Sequence, residues 1–241
     1  MTRAIALFIT TITILASCQK QEVSHSISQG TDSLALRVAL LPIAECDSLR
    51  NKVQSGEADS MGLSIMLMEY NSMMDIDTAI IKNRAHIYLA DAERINHMPD
   101  SVRPKLLKQQ PVKYHIIANR TKRIRKLVSL KEHMVGCPRW CCLDTWLDQV
   151  VDSSRLKTTD VYHAQINSIP LRASMVHEGL LDAGVIPSHY ADTLIKAGHR
   201  VLATKKLTGM GWYAAPGLEA DSIHKDHIKL FLEILSGRKH K

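Results

Sequence analysis

From Leu36 onward, short apolar runs alternate with stretches whose apolar residues recur at helical spacing, the pattern of βα units feeding a mostly parallel sheet. Residues 36–41 predict a strand ended by Pro42, 47–60 a helix stopped by Gly62, and 63–69 a second strand. Asn71 or Ser72 is placed to cap a helix through Asn83, with Asp75 and Asp77 in its first turn, where carboxylates suit the dipole. Residues 85–90 read as a third strand. Pro99, Pro104 and Pro111 then punctuate a connection, and residues 112–119 read as a strand leaving it, so a domain crossing is expected near 111. A second βα series follows. It has a helical turn at 129–133, strands at 134–136, 160–166, 183–186 and 199–204, and helices at 141–152, 169–181 and 188–197. Residues 209–217 look like a return strand or loop. The last stretch, 221–235, is an amphipathic helix with Ile223, Ile228, Phe231, Ile234 and Leu235 along one side.

Ahead of this body, Arg3 gives a basic start, residues 4–15 are apolar or Thr throughout, and polar residues follow from Gln19. Such a run is too short to span a bilayer as a mature helix and has the layout of a secretory signal over residues 1–17. Its ending, Leu15-Ala16-Ser17-Cys18, resembles the bacterial lipobox. That resemblance implies lipidation of Cys18 with palmitate-type chains and anchoring to a membrane of the cell envelope. The alternative is an ordinary signal peptide with an incidental cysteine. Residues 18–35, rich in Ser, Gln and charge, read as a tether that lifts the body off the membrane.

Charge narrows the partners. The formal net charge is +7, and the excess clusters at Arg120, Lys122, Arg123, Arg125 and Lys126, then at Arg238, Lys239 and Lys241. With only 5% aromatic residues there is no interleaved stacking platform, which argues against nucleic acid. A solvated face, attraction to anionic headgroups, or collection of small anions fits better. Met61, Met66, Met68, Met73 and Met74 follow no single exposed face, so core packing explains them better than copper binding.

Cys46, Cys137, Cys141 and Cys142 remain if Cys18 is lipidated, an even number in a compartment where disulfides form. Their spacings, C-x3-C and C-C, match no zinc signature. Cys141 and Cys142 open a predicted helix, a position that lowers a thiol pKa and suits a nucleophile or a soft metal.

The segments Leu36-Arg-Val-Ala-Leu-Leu-Pro42, Asp75-Ile-Asp-Thr-Ala-Ile80, Ser129-Leu-Lys-Glu-His-Met-Val-Gly-Cys-Pro-Arg139, Gln165-Ile-Asn-Ser-Ile-Pro-Leu-Arg172 and Leu181-Asp-Ala-Gly-Val-Ile-Pro187 occur in a characteristic order. In that order the chain resembles type II periplasmic solute-binding proteins of the SsuA/THI5-like group, over about residues 36–202. The resemblance implies an α/β fold of two lobes, here 36–110 with 205–241 and 111–204, holding a small ligand in the cleft for an ABC permease. Family ligands include sulfonates, nitrate and thiamine precursors. This chain departs from the family in its shorter return to the first lobe and in its thiol-rich loop at 137–142.

In open α/β sheets, ligands bind where strand C-terminal ends open into a crevice and helix N-termini face it. That selects the turns 43–46, 90–93, 137–142 and 187–189, and with them Glu45, Cys46, Asp91, Arg139, Trp140, Cys141 and His189 as expected ligand contacts. Arg139 offers a fork for an anion or a surface pair with Asp144. Trp140 offers a stacking face or lobe packing, and His189 a polar contact or a surface position. No catalytic residue, metal or cofactor is assigned. The expected function is capture of a small anionic or heteroaromatic solute by hinge closure. The alternatives are a cysteine- or metal-dependent enzyme on the same scaffold, and a sensor or interaction lipoprotein without a working cleft.

Overall fold

The structure, a computed structural model, describes residues 35–220 and 222–237. The expected leader, Cys18, all but the last residue of the expected tether, and the basic residues 238–241 lie outside the described residues.

Strands are numbered along the chain. In the first sheet, β1 (Leu36–Leu40) lies between β2 (Ile65–Glu69) and β3 (Ile87–Asp91), with β10 (Met210–Ala214) and β4 (Lys105–Gln109) beyond β3. β1 runs parallel to both neighbours, Val38 lying opposite Leu67 and Ile87, whereas β10 is antiparallel to β3 and to β4. The second sheet repeats the plan with β6 (Met134–Cys137) between β7 (Tyr162–Gln165) and β8 (Ala183–Pro187), then β5 (Val112–Ala118) and β9 (Arg200–Leu207). β6 is parallel to β7 and β8, and β5 is antiparallel to β8 and β9. Every residue of β3 and of β8 is buried, as continuous apolar strands covered on both faces must be.

The segment 99–111, expected as an unstructured connection, contains β4. Pro99, Pro104 and Pro111 all fall outside the strand, where they remove no ladder donor. Lys105 and Gln109 are exposed, which hides an edge strand from a search for apolar runs.

Local chemistry sets the helices. The predicted helix at 47–60 is two pieces, α1 (Asp47–Gln54) and α2 (Glu57–Ser60), because Gly56 between them adopts the left-handed φ of 75°. α3 (Met73–Ile81) starts at Ser72, whose Oγ accepts from the Asp75 amide at 3.2 Å and donates to the Asp75 carboxylate at 2.7 Å. α4 (Ala92–Asn96) is a single unexpected turn. α5 (Cys142–Ser153) and α6 (Ile169–Glu178) cover the second sheet, and Gly179, at φ 78°, ends α6 short of the expected residue 181. α7 (Ser188–Lys196) follows β8 directly.

The chain leaves the first sheet after Gln109 and returns after Leu207. Lys205, Lys206 and Leu207 still pair with Tyr114, Lys113 and Val112, so the return falls beyond the boundary expected at 204. The final helix, α8 (Ser222–Ser236), buries Ile228, Phe231 and Ile234, while Ile223 stays half exposed. Phe231 meets Trp212 of β10 edge-on at 5.4 Å, and Lys52 of α1 donates to the Ile234 carbonyl at 2.9 Å. Burying one such aromatic side chain stabilises by about 1.5–3 kcal/mol, enough to hold the helix on the first lobe.

Candidate functional site

The parallel strands of both sheets end where the lobes meet, and several bonds cross directly between them. The Glu45 carboxylate accepts from the Lys113 amide at 2.9 Å, and the Ile169 amide donates to the Asn71 carbonyl at 2.9 Å. Thr145 donates its hydroxyl to Glu93 at 3.1 Å. Arg94, ion-paired with Asp77, donates to the Arg139 carbonyl at 2.9 Å. The lobes are closed on one another.

Asp91 stands at the centre of this contact, 1% exposed at the end of β3. One carboxylate oxygen caps α4 through the Glu93 and Arg94 amides, at 3.0 and 3.2 Å. The other accepts from the Cys142 amide of the opposite lobe at 3.2 Å. Gly209, on the return crossing, makes this approach possible: a Cβ there would lie 2.6 Å from the Cys142 Cβ.

Arg172 was not among the expected contacts, yet it is the only fully buried arginine among the described residues. It leaves the first turns of α6, is fully buried, and crosses the second sheet over Gly136 and Gly184, neither of which has a side chain to obstruct it. Its Nε donates to the Val185 carbonyl at 2.7 Å and one Nη to the Ile166 carbonyl at 2.6 Å, which fixes the guanidinium beside the middle of β8 and just past the end of β7. The second Nη has no hydrogen-bond partner, and among the described residues no carboxylate forms an ion pair with Arg172. Burial depresses its pKa, an effect opposed by Cys137, Tyr114 and Cys141. A buried guanidinium without a counter-charge is costly unless an anion completes it.

Tyr114 lies within charge reach of Arg172. It is fully buried, its hydroxyl has no partner, and burial, helped by Cys142, Cys141 and Glu45, pushes its pKa well up against the pull of Arg172. The hydroxyl is therefore a neutral donor. A cationic fork and a phenol, both fixed and both short of a partner, suit an oxyanion.

The expected contacts divide into two groups. Asp91 and Cys141 are buried within the contact between the lobes, Glu45 is partly buried there, and Cys46 is buried after β1 among Glu45, Arg50 and Glu69 of the first lobe. Arg139 and Trp140 face outward: Trp140 is 73% exposed at a left-handed φ of 57°, its amide donating to Asp144 at 3.2 Å. With Arg94, Asp77, Ile81 and Met98, Trp140 borders a rim groove of about 480 Å³. His189 is half exposed, its ring edge-on to Tyr190 at 5.2 Å and 3.9 Å from the Asp47 carboxylate.

Cys46, Cys137, Cys141 and Cys142 are free thiols, all buried. Cys142 is the first residue of α5, where helix position alone was expected to favour the thiolate. Burial reverses this: Cys46 is pushed up to about 12, Cys141 to about 11, and Cys137 and Cys142 well above the usual thiol range. For Cys142 the Asp91 carboxylate adds to the effect of burial. These are packing thiols with the opposite of a nucleophile's electrostatics. Among the described residues no group of three or more His, Cys, Asp or Glu is placed to hold a metal ion.

Two mixed α/β sheets of the order 2-1-3-n-4, joined by two crossings, define the type II periplasmic-binding-protein fold. Solved structures share it. The alkanesulfonate-binding protein SsuA from Xanthomonas axonopodis pv. citri, bound to MOPS, superposes with a TM-score of 0.69 at 15% identity, over 86% of this chain and 74% of that one. The aliphatic sulphonate-binding SsuA from Escherichia coli gives 0.61 at 20% identity, over 85% and 68%. PhnD1 from Prochlorococcus marinus, in complex with methylphosphonate, gives 0.62 at 12%, over 83% and 84%. No protein-family model and no curated protein matches the sequence. At such identities the likeness is one of fold.

Proposed function

We propose that this protein is a solute-binding protein that closes its two lobes on a small organic anion, whose charged head is held by Arg172 and Tyr114. The observation that carries the reading is the unpartnered Nη of a fully buried arginine between β7 and β8. The solved neighbours support it, since two hold MOPS and methylphosphonate. In this reading Glu45, Cys46, Asp91 and Cys141 line the inner walls, Arg139, Trp140 and His189 guard the rim, and the direct bonds between lobes are those of the closed state. Residues 1–17 export the protein, Cys18 anchors it by lipid, and an ABC permease receives the ligand.

Calorimetry with MOPS and methylphosphonate as probes tests the anion site. At least one probe should bind the wild-type chain, and Arg172→Met should weaken it by about 1.5–3 kcal/mol, the range for hydrogen bonds to charged groups. Tyr114→Phe, which leaves Arg172 and the packing in place, should weaken it less. Absence of binding by either probe, or unchanged affinity in both variants, overturns the assignment.

A further inference from the structure

The second lobe carries a cationic pocket at the pole opposite the cleft. β5 runs antiparallel to β8, with Tyr114 opposite Pro187 at the cleft end and Ala118 opposite Ala183 at the other. The loop that follows Ala118 therefore emerges at the end of β5 opposite Tyr114. Its residues Arg120, Lys122, Arg123 and Arg125, with Arg200 from the start of β9, line a cavity of about 170 Å³ that no carboxylate lines. Lys122 is paired with Asp182 at 2.8 Å, whereas Arg123, Arg125 and Arg200 form no ion pair among the described residues.

The pocket is held open from beneath. Asn119, 2% exposed, uses its whole side chain to pin the loop. Its Nδ2 donates to the Val176 and His177 carbonyls at 2.5 and 3.2 Å, and its Oδ1 accepts from the Thr121 amide and hydroxyl at 2.8 and 2.6 Å. The Arg120 amide donates to His199 at 3.1 Å and its guanidinium to the Ala197 carbonyl at 3.1 Å. Gly198 lies beside the Arg120 side chain with φ 89°, so no side chain narrows the cavity there. Four arginines, three on the anchored loop and one on β9, thus line one small space, where like charges repel until an anion enters. The volume lies below the roughly 300–1,000 Å³ of drug-sized ligand clefts. Arginine forks match tetrahedral oxyanions bidentately.

We propose that this pocket is a second anion site, specific for a phosphate or phosphomonoester group, independent of the ligand cleft. The phosphate can come from solution or from a phosphomonoester lipid headgroup, and the test separates the two. The full chain is titrated with inorganic phosphate by calorimetry and sedimented with vesicles containing phosphatidic acid or, at equal charge, phosphatidylglycerol. Each measurement is repeated on Arg123→Glu/Arg125→Glu, whose side chains are exposed and whose fold is checked by circular dichroism, and on Arg172→Met. The N-terminal segment is common to all samples and cancels in the comparison.

The wild-type chain should bind phosphate, or phosphatidic acid vesicles in preference to phosphatidylglycerol, at least tenfold more tightly than the double variant, and Arg172→Met should retain this binding. Phosphate binding identifies the soluble source, and vesicle binding alone identifies the headgroup. No binding to either probe, equal binding by the double variant, equal binding to both vesicle types without phosphate binding, or loss in Arg172→Met overturns the proposal. Only the last of these bears on the cleft, so failure here and failure of the solute-binding reading are told apart.

Discussion

Gly136 and Gly184 lie directly opposite one another on the parallel pair β6 and β8, and the stem of Arg172 passes over both. A Cβ on Gly136 would collide with Leu181 and sit 3.2 Å from the Arg172 Cγ; one on Gly184 would sit 2.8 Å from Val176. The two glycines form the track along which the only buried arginine among the described residues reaches the Val185 and Ile166 carbonyls.

Gly136→Ala should therefore destabilise the fold by about 1–3 kcal/mol, the usual cost of overpacking. Because the added Cβ also crowds the Arg172 stem at 3.2 Å, the same change should also weaken an anionic probe. Urea titration and calorimetry on this variant check both, and a variant of wild-type stability would remove the packing argument.

Arg94 ties the lobes by holding Asp77 and the Arg139 carbonyl together. Burial raises the Asp77 pKa, and Arg94 opposes that rise. Arg94→Ala should lift it further, leave a half-buried carboxylate unpaired at a cost of about 1–3 kcal/mol, and speed amide exchange at Trp140 and Cys142. Unchanged protection of those two amides would show that the closure does not depend on Arg94.

The buried thiols predict alkaline weakening. An unfolded chain ionises its cysteines near their ordinary pKa of about 8.5, whereas the folded chain holds Cys141 and Cys46 protonated up to about 11 and 12. Above the lower value the unfolded state binds fewer protons, so stability falls as pH rises. The urea midpoint should drop between pH 8.5 and 11, less steeply in Cys46→Ala, and a flat profile would refute the burial argument. Native thiol counting at pH 8 should find these four cysteines unreactive.

Acid acts through His86, whose pKa falls to about 4 because it is buried beside Arg37, His224 and His227. The unfolded chain takes up this proton near 6.5. Between those values the unfolded state binds more protons, so stability is full above pH 6.5 and is lost as pH falls toward 4. His86→Gln should flatten that part of the profile in thermal melts, and an unchanged slope would assign the acid loss to other groups.

Alternating apolar runs and helical spacing made most of this fold legible, because β1, β5, β6 and β8 are mostly buried runs. β4 escaped because its exposed ends and flanking prolines look like a loop. Asp91 was readable from its position after a strand. Arg172 and Tyr114 were not, since an arginine is ordinarily a solvated residue, although Ile169 and Val176 share its helix face. The pair of facing glycines that lets it turn inward becomes meaningful only once β6 and β8 are known to be neighbours. Trp140 shows the converse, for its place in a post-strand turn suggested the cleft, while its left-handed backbone turns the ring outward.

The two crossings give the lobes different histories during synthesis. All strands of the second sheet lie between Val112 and Leu207, so that lobe is complete in sequence before the first one is. The first sheet waits for Met210–Ala214, which must slide between β3 and β4 already made, and its last helix is later still. Until then β3 presents an unpaired apolar edge, the kind that recruits other chains. A chain cut short before residue 210 would carry every strand of the second sheet and a first sheet open between β3 and β4.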